Sequence, residues 1–174
     1  MHDLVLMGVS GVGKTTSGKL LAARTGWKFE DADDYHSEEN RRKMATGIPL
    51  TDSDRGPWLN TLHERMLQYR QKGRECHFGL LGAEAAVREL LAGGSAMSEM
   101  RFVYLHAPTS LIKELMKSRH HPYMNPDLLD SQLATLEVQS DALAVTVSGR
   151  PEEAVEEILT RLREAGLLTT RAEK

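Results

Sequence analysis

The sequence predicts an α/β fold in three layers, in which a parallel β-sheet carries helices on both faces, and two observations support it. Short apolar segments typical of buried strands alternate along the chain with segments of helical character. The first apolar segment, residues 4–7, runs directly into a glycine-rich loop that a helix follows. Such alternation is typical of parallel sheets, because the crossover between parallel strands is usually a helix.

The boundaries of the predicted elements follow from apolar patterns and capping residues. Ser37 is suited to cap one helix, and Pro57 is suited to begin the next, since proline is favoured in a first helical turn. In such sheets ligands bind outside the carboxyl ends of the strands, where Gly8, Asp31 and Gly82 fall. We expect strands at residues 4–7, 27–29, 75–81, 102–105 and 143–147, and helices at 14–25, 37–45, from 57, at 83–91, 110–117 and from 151 to about 166.

Size and composition indicate a single globular domain. Of the 174 residues, 40% are hydrophobic and 27% are charged, with a formal net charge of −3. This balance does not favour nucleic-acid binding, which usually needs a basic face, and no apolar run is long enough to span a membrane. Cys76 is the only cysteine, so no internal disulfide forms and we expect a cytoplasmic protein. The domain is expected over residues 1–168, with a polar tail at 169–174.

The glycine-rich loop is a phosphate-binding motif. Residues 8–15 match G-x-x-x-x-G-K-[ST], in which glycines allow backbone N–H groups to turn inward around phosphate oxygens. Lys14 would reach the β- and γ-phosphates, and the Thr15 hydroxyl would ligate Mg²⁺. The predicted nucleotide-binding residues are Gly8, Ser10, Gly11, Gly13, Lys14, Thr15 and Thr16.

The acidic residues after the second predicted strand indicate which kind of phosphate-loop protein this is. A GTPase would carry an N-K-x-D motif, and many ATPases place an aspartate after the third strand; this sequence has neither. Instead, Asp31 and Asp33 follow the second strand, and in an extended segment alternate side chains face the same way. Asp31 would then hold the magnesium shell, and Asp33 would accept a proton from an attacking hydroxyl. The alternative interpretation is a solvated turn.

Several segments together resemble one known family. The run over residues 31–59 is far more specific than the phosphate loop, and the similarity is nearly continuous from residue 4 to 59. The matching segments are residues 8–15, 26–29, 31–36, 39–44, 47–50 and 52–59, followed later by Ser131-Gln132 and residues 135–137. They resemble gluconokinases of the small, thermoresistant type.

This resemblance implies a nucleoside-monophosphate-kinase-like fold with a five-stranded parallel sheet. It also implies ATP, Mg²⁺ and D-gluconate as ligands, 6-phosphogluconate as product, and a homodimer. It further implies a small mobile lid at about residues 118–131, whose Arg119 would stabilise charge on the transferring phosphoryl group. Changing Arg119 to alanine should then lower turnover more than ATP binding.

Polar residues within the matching run are candidates for binding the sugar acid. His36, Asn40, Lys43 and Gly47 would share one face if the whole segment were helical. The guanidinium of Arg55 suits a carboxylate, although an ion pair with Asp52 or Asp54 is the alternative. Trp58 is expected in the core. Residues 149–151, after the fifth strand, are a weak candidate for the adenine site.

Two segments depart from the family pattern. Over residues 80–88, only Arg88 matches the family's serine-, lysine- and tyrosine-containing segment. Pro122 replaces the usual lid histidine; either His120 or His121 takes its place, or both are solvated loop histidines. Arg88 stays a predicted substrate-binding residue. Three interpretations remain: a working sugar-acid kinase, a nucleotide-binding module that has lost transfer, and a shikimate-type or nucleotide kinase. The presence of Lys14, Thr15, Asp31 and Asp33 favours the first.

Overall fold

The computed structural model describes residues 3–72, 76–80, 100–117, 128–136 and 142–168. The predicted helix at 83–91 lies outside those residues. Within the described ranges, no helix is both long and apolar enough to cross a membrane. The strands are β1 (Asp3–Met7), β2 (Lys28–Asp31), β3 (Cys76–Leu80), β4 (Met100–His106) and β5 (Leu143–Thr146), and the helices are α1 (Lys14–Thr25), α2 (Glu38–Ala45), α3 (Asp52–Gln71), α4 (Thr109–Lys117), α5 (Leu128–Thr135) and α6 (Pro151–Glu164), with a 3₁₀ helix at Ala32–Tyr35.

The described strands form one parallel sheet in the order β2-β3-β1-β4-β5. β1 pairs in parallel with both β3 and β4, so that Val5 lies opposite Phe78 on one side and Phe102 on the other. The predicted α/β fold with a parallel sheet is confirmed. Because all the strands run the same way, their carboxyl ends meet at one edge, where β1 leads into the phosphate loop.

The sheet is buried on both faces, as its central strand shows. Every residue of β1 is buried, and alternate side chains enter different clusters. Leu4 and Leu6 join an apolar cluster with residues of α1, α4, α5 and α6. Val5 and Met7 join a second cluster with residues of α3, including Trp58. Helices therefore cover both faces of the sheet, so a ligand would have to approach at the edge where the carboxyl ends of the strands meet.

The start of α3 corrects one predicted boundary. The helix begins at Asp52 and contains Pro57, which we had expected to begin it. Thr51 and Asp54 form a reciprocal capping box: the Asp54 N–H donates to the Thr51 hydroxyl at 3.3 Å, and the Thr51 N–H donates to Asp54 Oδ2 at 3.0 Å. Two satisfied backbone donors define the helix start upstream of the proline. The Ser37 cap of α2 is confirmed, since its hydroxyl accepts from the Asn40 N–H at 3.1 Å.

Candidate active site

The phosphate loop joins β1 to α1, and two of its glycines are required by close approaches. Gly8 (φ +146°) and Gly11 (φ +82°) have torsions that side chains rarely adopt. A Cβ on Gly8 would lie 2.5 Å from the carbonyl oxygen of Leu105, and one on Gly11 would lie 2.5 Å from Met116 Cγ. The loop is therefore folded tightly against β4 and α4, and only glycine fits at these two positions.

Lys14 lies curled over the loop. Its ammonium donates to the carbonyl oxygens of Gly8 and Val9, each at 3.0 Å. Burial lowers the pKa of Lys14, and attraction to the carboxylates of Asp33 and Asp31 acts against that shift. The cation therefore contacts the loop and interacts electrostatically with both acidic residues that the sequence singled out.

Thr15 connects the loop to β2. Its hydroxyl donates to Asp31 Oδ2 at 2.5 Å, which brings together two hard oxygen ligands of the type that Mg²⁺ prefers. Among the described residues, no three His, Cys, Asp or Glu side chains are grouped to hold a metal. A magnesium ion fits this pair if phosphate oxygens and water complete its shell, as they commonly do.

The segment after Asp31 is not extended as the sequence argument assumed. Asp31 ends β2 and caps the 3₁₀ helix Ala32–Tyr35, with its Oδ1 accepting from the Asp33 N–H at 3.2 Å. The alternation argument for two parallel carboxylates is therefore wrong. Asp33 nevertheless lies close enough to interact with Lys14, because the tight turn keeps it beside the loop.

His36 lies outside α2, so the expected helical face of His36, Asn40, Lys43 and Gly47 is wrong. The helix spans only Glu38–Ala45. The His36 side chain is 2% exposed, and its ring stacks on Trp58 with ring centroids 4.1 Å apart. Its Nε2 lies 3.9 Å from Asp33 Oδ1, and its Nδ1 has no hydrogen-bond partner among the described residues. Trp58 is in the core as expected.

The buried position of His36 predicts a pH dependence of stability. Burial, assisted by the positive charge of Arg41, lowers the pKa of His36 from 6.5 to about 4. The folded chain therefore binds fewer protons than the unfolded chain between these values, and stability that is full above pH 6.5 falls as the pH drops toward 4. The loss reaches about 3 kcal/mol.

His36→Phe is the matched variant for this effect, because it keeps a stacked ring and removes the titration. Urea denaturation at about pH 7 and about pH 4.5 should show a smaller loss of unfolding free energy in the variant than in the unchanged protein. Equal losses in both proteins would contradict the assignment.

Both predicted carboxylate-binding cations in this region are paired. Lys43 donates to Asp54 Oδ1 at 2.7 Å, a hydrogen bond that, with those from Thr51, lowers the pKa of Asp54 to about 2. Arg55 pairs with Asp52 at 2.8 Å, the alternative that the sequence left open. The two pairs differ in exposure, because Asp52 is 94% exposed and Asp54 only 15%.

Other predicted site residues are not all described. Arg88, Arg119, His120, His121 and Pro122 lie outside the described residues. The suggested adenine segment forms the turn between β5 and α6, in which Gly149 has φ +95° and Arg150 pairs with Glu153 at 3.0 Å. Nothing in this turn distinguishes a base-binding site from an ordinary strand-to-helix connection.

Gln132 contacts the phosphate loop, a contact that the sequence argument did not assign, although Ser131-Gln132 is among the segments that resemble the family. It lies on α5, a helix that was not predicted, and its side chain contacts Ser10 of the phosphate loop. Leu129, Leu133 and Leu136 follow an i, i+4, i+7 pattern and pack on the apolar cluster of β1. That spacing is the pattern from which the helix could have been found.

Known proteins resemble this chain over most of its length. A family model described as shikimate kinase matches residues 10–55. A probable gluconokinase of Dictyostelium discoideum is 36% identical over 171 residues, covering 92% of this chain and 86% of the relative. A probable gluconokinase of Mus musculus is 43% identical over 152 residues, covering 79% of this chain and 83% of the relative.

A solved structure also superimposes closely. A crystal structure of a gluconokinase from Sinorhizobium meliloti 1021 has a TM-score of 0.82 and 36% sequence identity, covering 94% of this chain and 93% of that one. Similarity therefore extends through the whole α/β architecture and beyond the phosphate loop.

Proposed function

This chain belongs to the gluconokinase family, and on that premise we propose that it transfers the γ-phosphoryl group of ATP to D-gluconate, giving 6-phosphogluconate and ADP. The resemblance inferred from the sequence segments is confirmed by this membership. The observation that carries the proposal for this chain's own residues is the 2.5 Å contact of Thr15 with Asp31. It joins the phosphate loop to the acidic segment, so phosphoryl donor and acceptor would meet there.

The proposed reaction uses groups already brought together at the sheet edge. Asp33 accepts the proton of a gluconate hydroxyl while the oxygen of that hydroxyl attacks the γ-phosphorus of ATP. The bond between the γ-phosphorus and the oxygen that bridges to the β-phosphate breaks, and ADP leaves. Lys14 leaves the carbonyls of Gly8 and Val9 and stabilises negative charge on the phosphates. Gly8, Gly11, Gly13 and the first-turn N–H groups of Lys14, Thr15 and Thr16 hold phosphate oxygens, because these donors have no acceptor within α1.

Magnesium belongs to the proposal as the ion that Thr15 and Asp31 would hold. When bound, it neutralises charge on the β- and γ-phosphates. In the structure these two side chains hold one another, so their oxygens are already adjacent before any ligand enters.

The carboxylate of gluconate is assigned mainly to Arg55. Its partner Asp52 is 94% exposed, and an exposed ion pair is worth only about 0–1 kcal/mol, so exchange for a substrate carboxylate costs little. Lys43 is held by the less exposed Asp54 and is a supporting cation. His36 and Arg88 complete the proposed substrate contacts.

Arg55→Ala should raise the KM for gluconate by about 10- to 100-fold, since a hydrogen bond to a charged group contributes about 1.5–3 kcal/mol. The KM for ATP should change little. Initial rates at varied gluconate, measured by coupled ADP release, check this. Arg42→Ala is the control, because Arg42 is an exposed α2 cation paired with Glu38 at 3.6 Å. An unchanged KM in Arg55→Ala would remove it from the site.

The function itself is tested by ADP release from Mg-ATP with a panel of acceptors: gluconate, shikimate, glycerate and nucleoside monophosphates. A gluconate-dependent rate, with a phosphate ester on the C6 hydroxyl seen by phosphorus NMR, is the expected result. ADP release with shikimate or a nucleoside monophosphate, and not with gluconate, would show that this other compound is the phosphoryl acceptor. No ADP release with any acceptor, while the protein still binds nucleotide, would favour a binding module that has lost phosphoryl transfer. The altered segment at residues 80–88 would then be the first candidate for the cause of that loss.

The proposal also concerns the organisation of the chain. We assign one kinase domain to residues 1–168, with the lid at about 118–131 and a tail at 169–174, although residues 118–127 and the tail lie outside the described ones. A cytoplasmic homodimer that binds neither nucleic acid nor membranes is part of the same proposal. Light scattering at varied protein concentration tests the dimer.

A further inference from the structure

A contact between the phosphate loop and α5 joins two distant parts of the chain. The Ser10 N–H donates to Gln132 Oε1 at 2.9 Å, and Gln132 Nε2 donates to the Ser10 hydroxyl oxygen at 3.2 Å. The two residues are 122 positions apart. One side-chain amide thus contacts both the backbone and the side chain of a single phosphate-loop residue.

Among the described residues, the other polar contacts within residues 8–12 of the phosphate loop are weak or involve Lys14. A 3.4 Å hydrogen bond from the Val12 N–H to the Val9 carbonyl is weak by its length. The Lys14 contacts to the Gly8 and Val9 carbonyls are lost if the ammonium turns to the phosphates. The Gln132 contact does not use Lys14, so it remains in either arrangement.

Gln132 also determines the direction of the Ser10 hydroxyl. A backbone N–H can only donate, so the amide oxygen of Gln132 must face it and the amide nitrogen must face the hydroxyl oxygen. The hydroxyl oxygen therefore accepts from Gln132, and its own hydrogen points elsewhere. A phosphate oxygen, which can only accept, is a suitable partner for that hydrogen.

The helix that carries Gln132 is firmly anchored. Leu129 is 1% exposed in the apolar cluster of β1, and Leu133 and Leu136 pack against the same cluster. Gln132 lies three residues after Leu129, at the border of this buried face. Its amide is therefore supported by core packing, which restricts where it can place Ser10.

We propose that Gln132 is a positioning residue for nucleotide binding: it holds the first half of the phosphate loop in place through Ser10 and directs the Ser10 hydroxyl hydrogen toward a phosphate oxygen. The sequence argument had expected Ser10 to bind nucleotide without distinguishing its groups. The structure gives the N–H to Gln132 and leaves the hydroxyl hydrogen for the ligand. This inference rests on the proposed function, because it requires ATP in the loop.

Gln132→Met tests it, because methionine keeps the length of the side chain and removes both hydrogen bonds. Calorimetric titration with a non-hydrolysable ATP analogue and Mg²⁺ should show binding weakened by about 5- to 20-fold, the effect of losing one to two hydrogen bonds. The KM for gluconate should stay within about twofold, because the contact with Ser10 acts on the phosphate loop and not on the proposed gluconate-binding residues.

Two further variants separate positioning from a general loss of stability. Ile158→Val removes a methylene from a fully buried α6 residue of the same cluster, so it should lower the melting temperature and leave nucleotide affinity unchanged. The double variant Ser10→Ala/Gln132→Met should bind the ATP analogue as tightly as whichever single variant has the lower affinity, because both substitutions act through one contact.

The outcomes separate this inference from the proposed function. If the unchanged protein binds the analogue and Gln132→Met binds it equally well, Gln132 is only a structural contact and the inference is overturned alone. If the effects of Ser10→Ala and Gln132→Met multiply, the two residues act independently and the inference is likewise overturned. If the unchanged protein binds no ATP analogue, the proposed function is overturned, and the inference with it.

Discussion

Lys14→Ala should lower the turnover number by at least about 1,000-fold. Removing a single neutral hydrogen-bond donor to a transition state lowers turnover by about 100- to 1,000-fold, and a full positive charge at the transferring phosphate should contribute more. The amino group lies between the loop carbonyls and the acidic segment, so no described cation is positioned to replace it. Coupled ADP release at saturating ATP and gluconate measures the effect.

The fold should survive this change. Lys14 contributes only two hydrogen bonds, to the carbonyls of Gly8 and Val9, and each typically contributes about 0.5–1.5 kcal/mol, so a thermal melt should shift by only a few degrees. Lys28→Ala is the matched control, since Lys28 is an exposed lysine at the start of β2, distant in sequence from the loop, and its loss should leave turnover unchanged. Turnover in Lys14→Ala within about tenfold of the unchanged protein would contradict its assigned role.

Local patterns predicted the parts of the fold that depend on local chemistry. α1 spans Lys14–Thr25 as expected, because a phosphate loop precedes it and Gly26 ends it in a left-handed conformation (φ +78°). The start of α3 was misplaced because two helix-start patterns competed. Thr51 and Asp54 satisfy two backbone donors, whereas Pro57 only tolerates a missing one, so the capping box prevailed.

The site was predictable only where neighbours in sequence are neighbours in space. The loop of residues 8–15 and the acidic pair were found from motif and position, but the geometry of the pair was not. The Asp31 carboxylate accepts from the Asp33 N–H, and this cap favours a 3₁₀ helix where an extended segment was expected. The contact of Gln132 with Ser10 spans 122 residues, and no local pattern encodes it.

Burial explains why the predicted substrate contacts changed most. His36 was a candidate donor to the sugar acid on a face shared with Asn40 and Lys43 if the segment were helical, but it lies outside α2 and stacks on Trp58, with Nε2 3.9 Å from Asp33 Oδ1. Lys43 was expected to be available to an acid, but Asp54 holds it. The first outcome depends on how α3 packs against the 3₁₀ helix, and the second on how α3 begins beside α2. The residue types alone do not specify either tertiary contact.

Asp33→Asn should lower turnover by about 100- to 10,000-fold, the range expected for loss of a general base. Asparagine keeps the size of the side chain, and the backbone N–H of residue 33 can still donate to Asp31. The substitution thus removes the proton acceptor while preserving the 3₁₀ helix. Binding of ATP should change little, because the magnesium-binding pair Thr15 and Asp31 is intact.

Asp34→Asn supplies the matched control, since the exposed neighbouring aspartate offers only its backbone carbonyl to Arg41, at 2.7 Å, and that contact survives the change. It should retain full turnover. Comparable losses in both variants would assign the effect to the net charge of the segment, and an active Asp33→Asn would show that the attacking hydroxyl needs no base. A deep loss in Asp33→Asn alone, with ATP affinity preserved, is the expected outcome, because the Asp33 carboxylate interacts electrostatically with Lys14 of the phosphate loop and lies 3.9 Å from His36 Nε2.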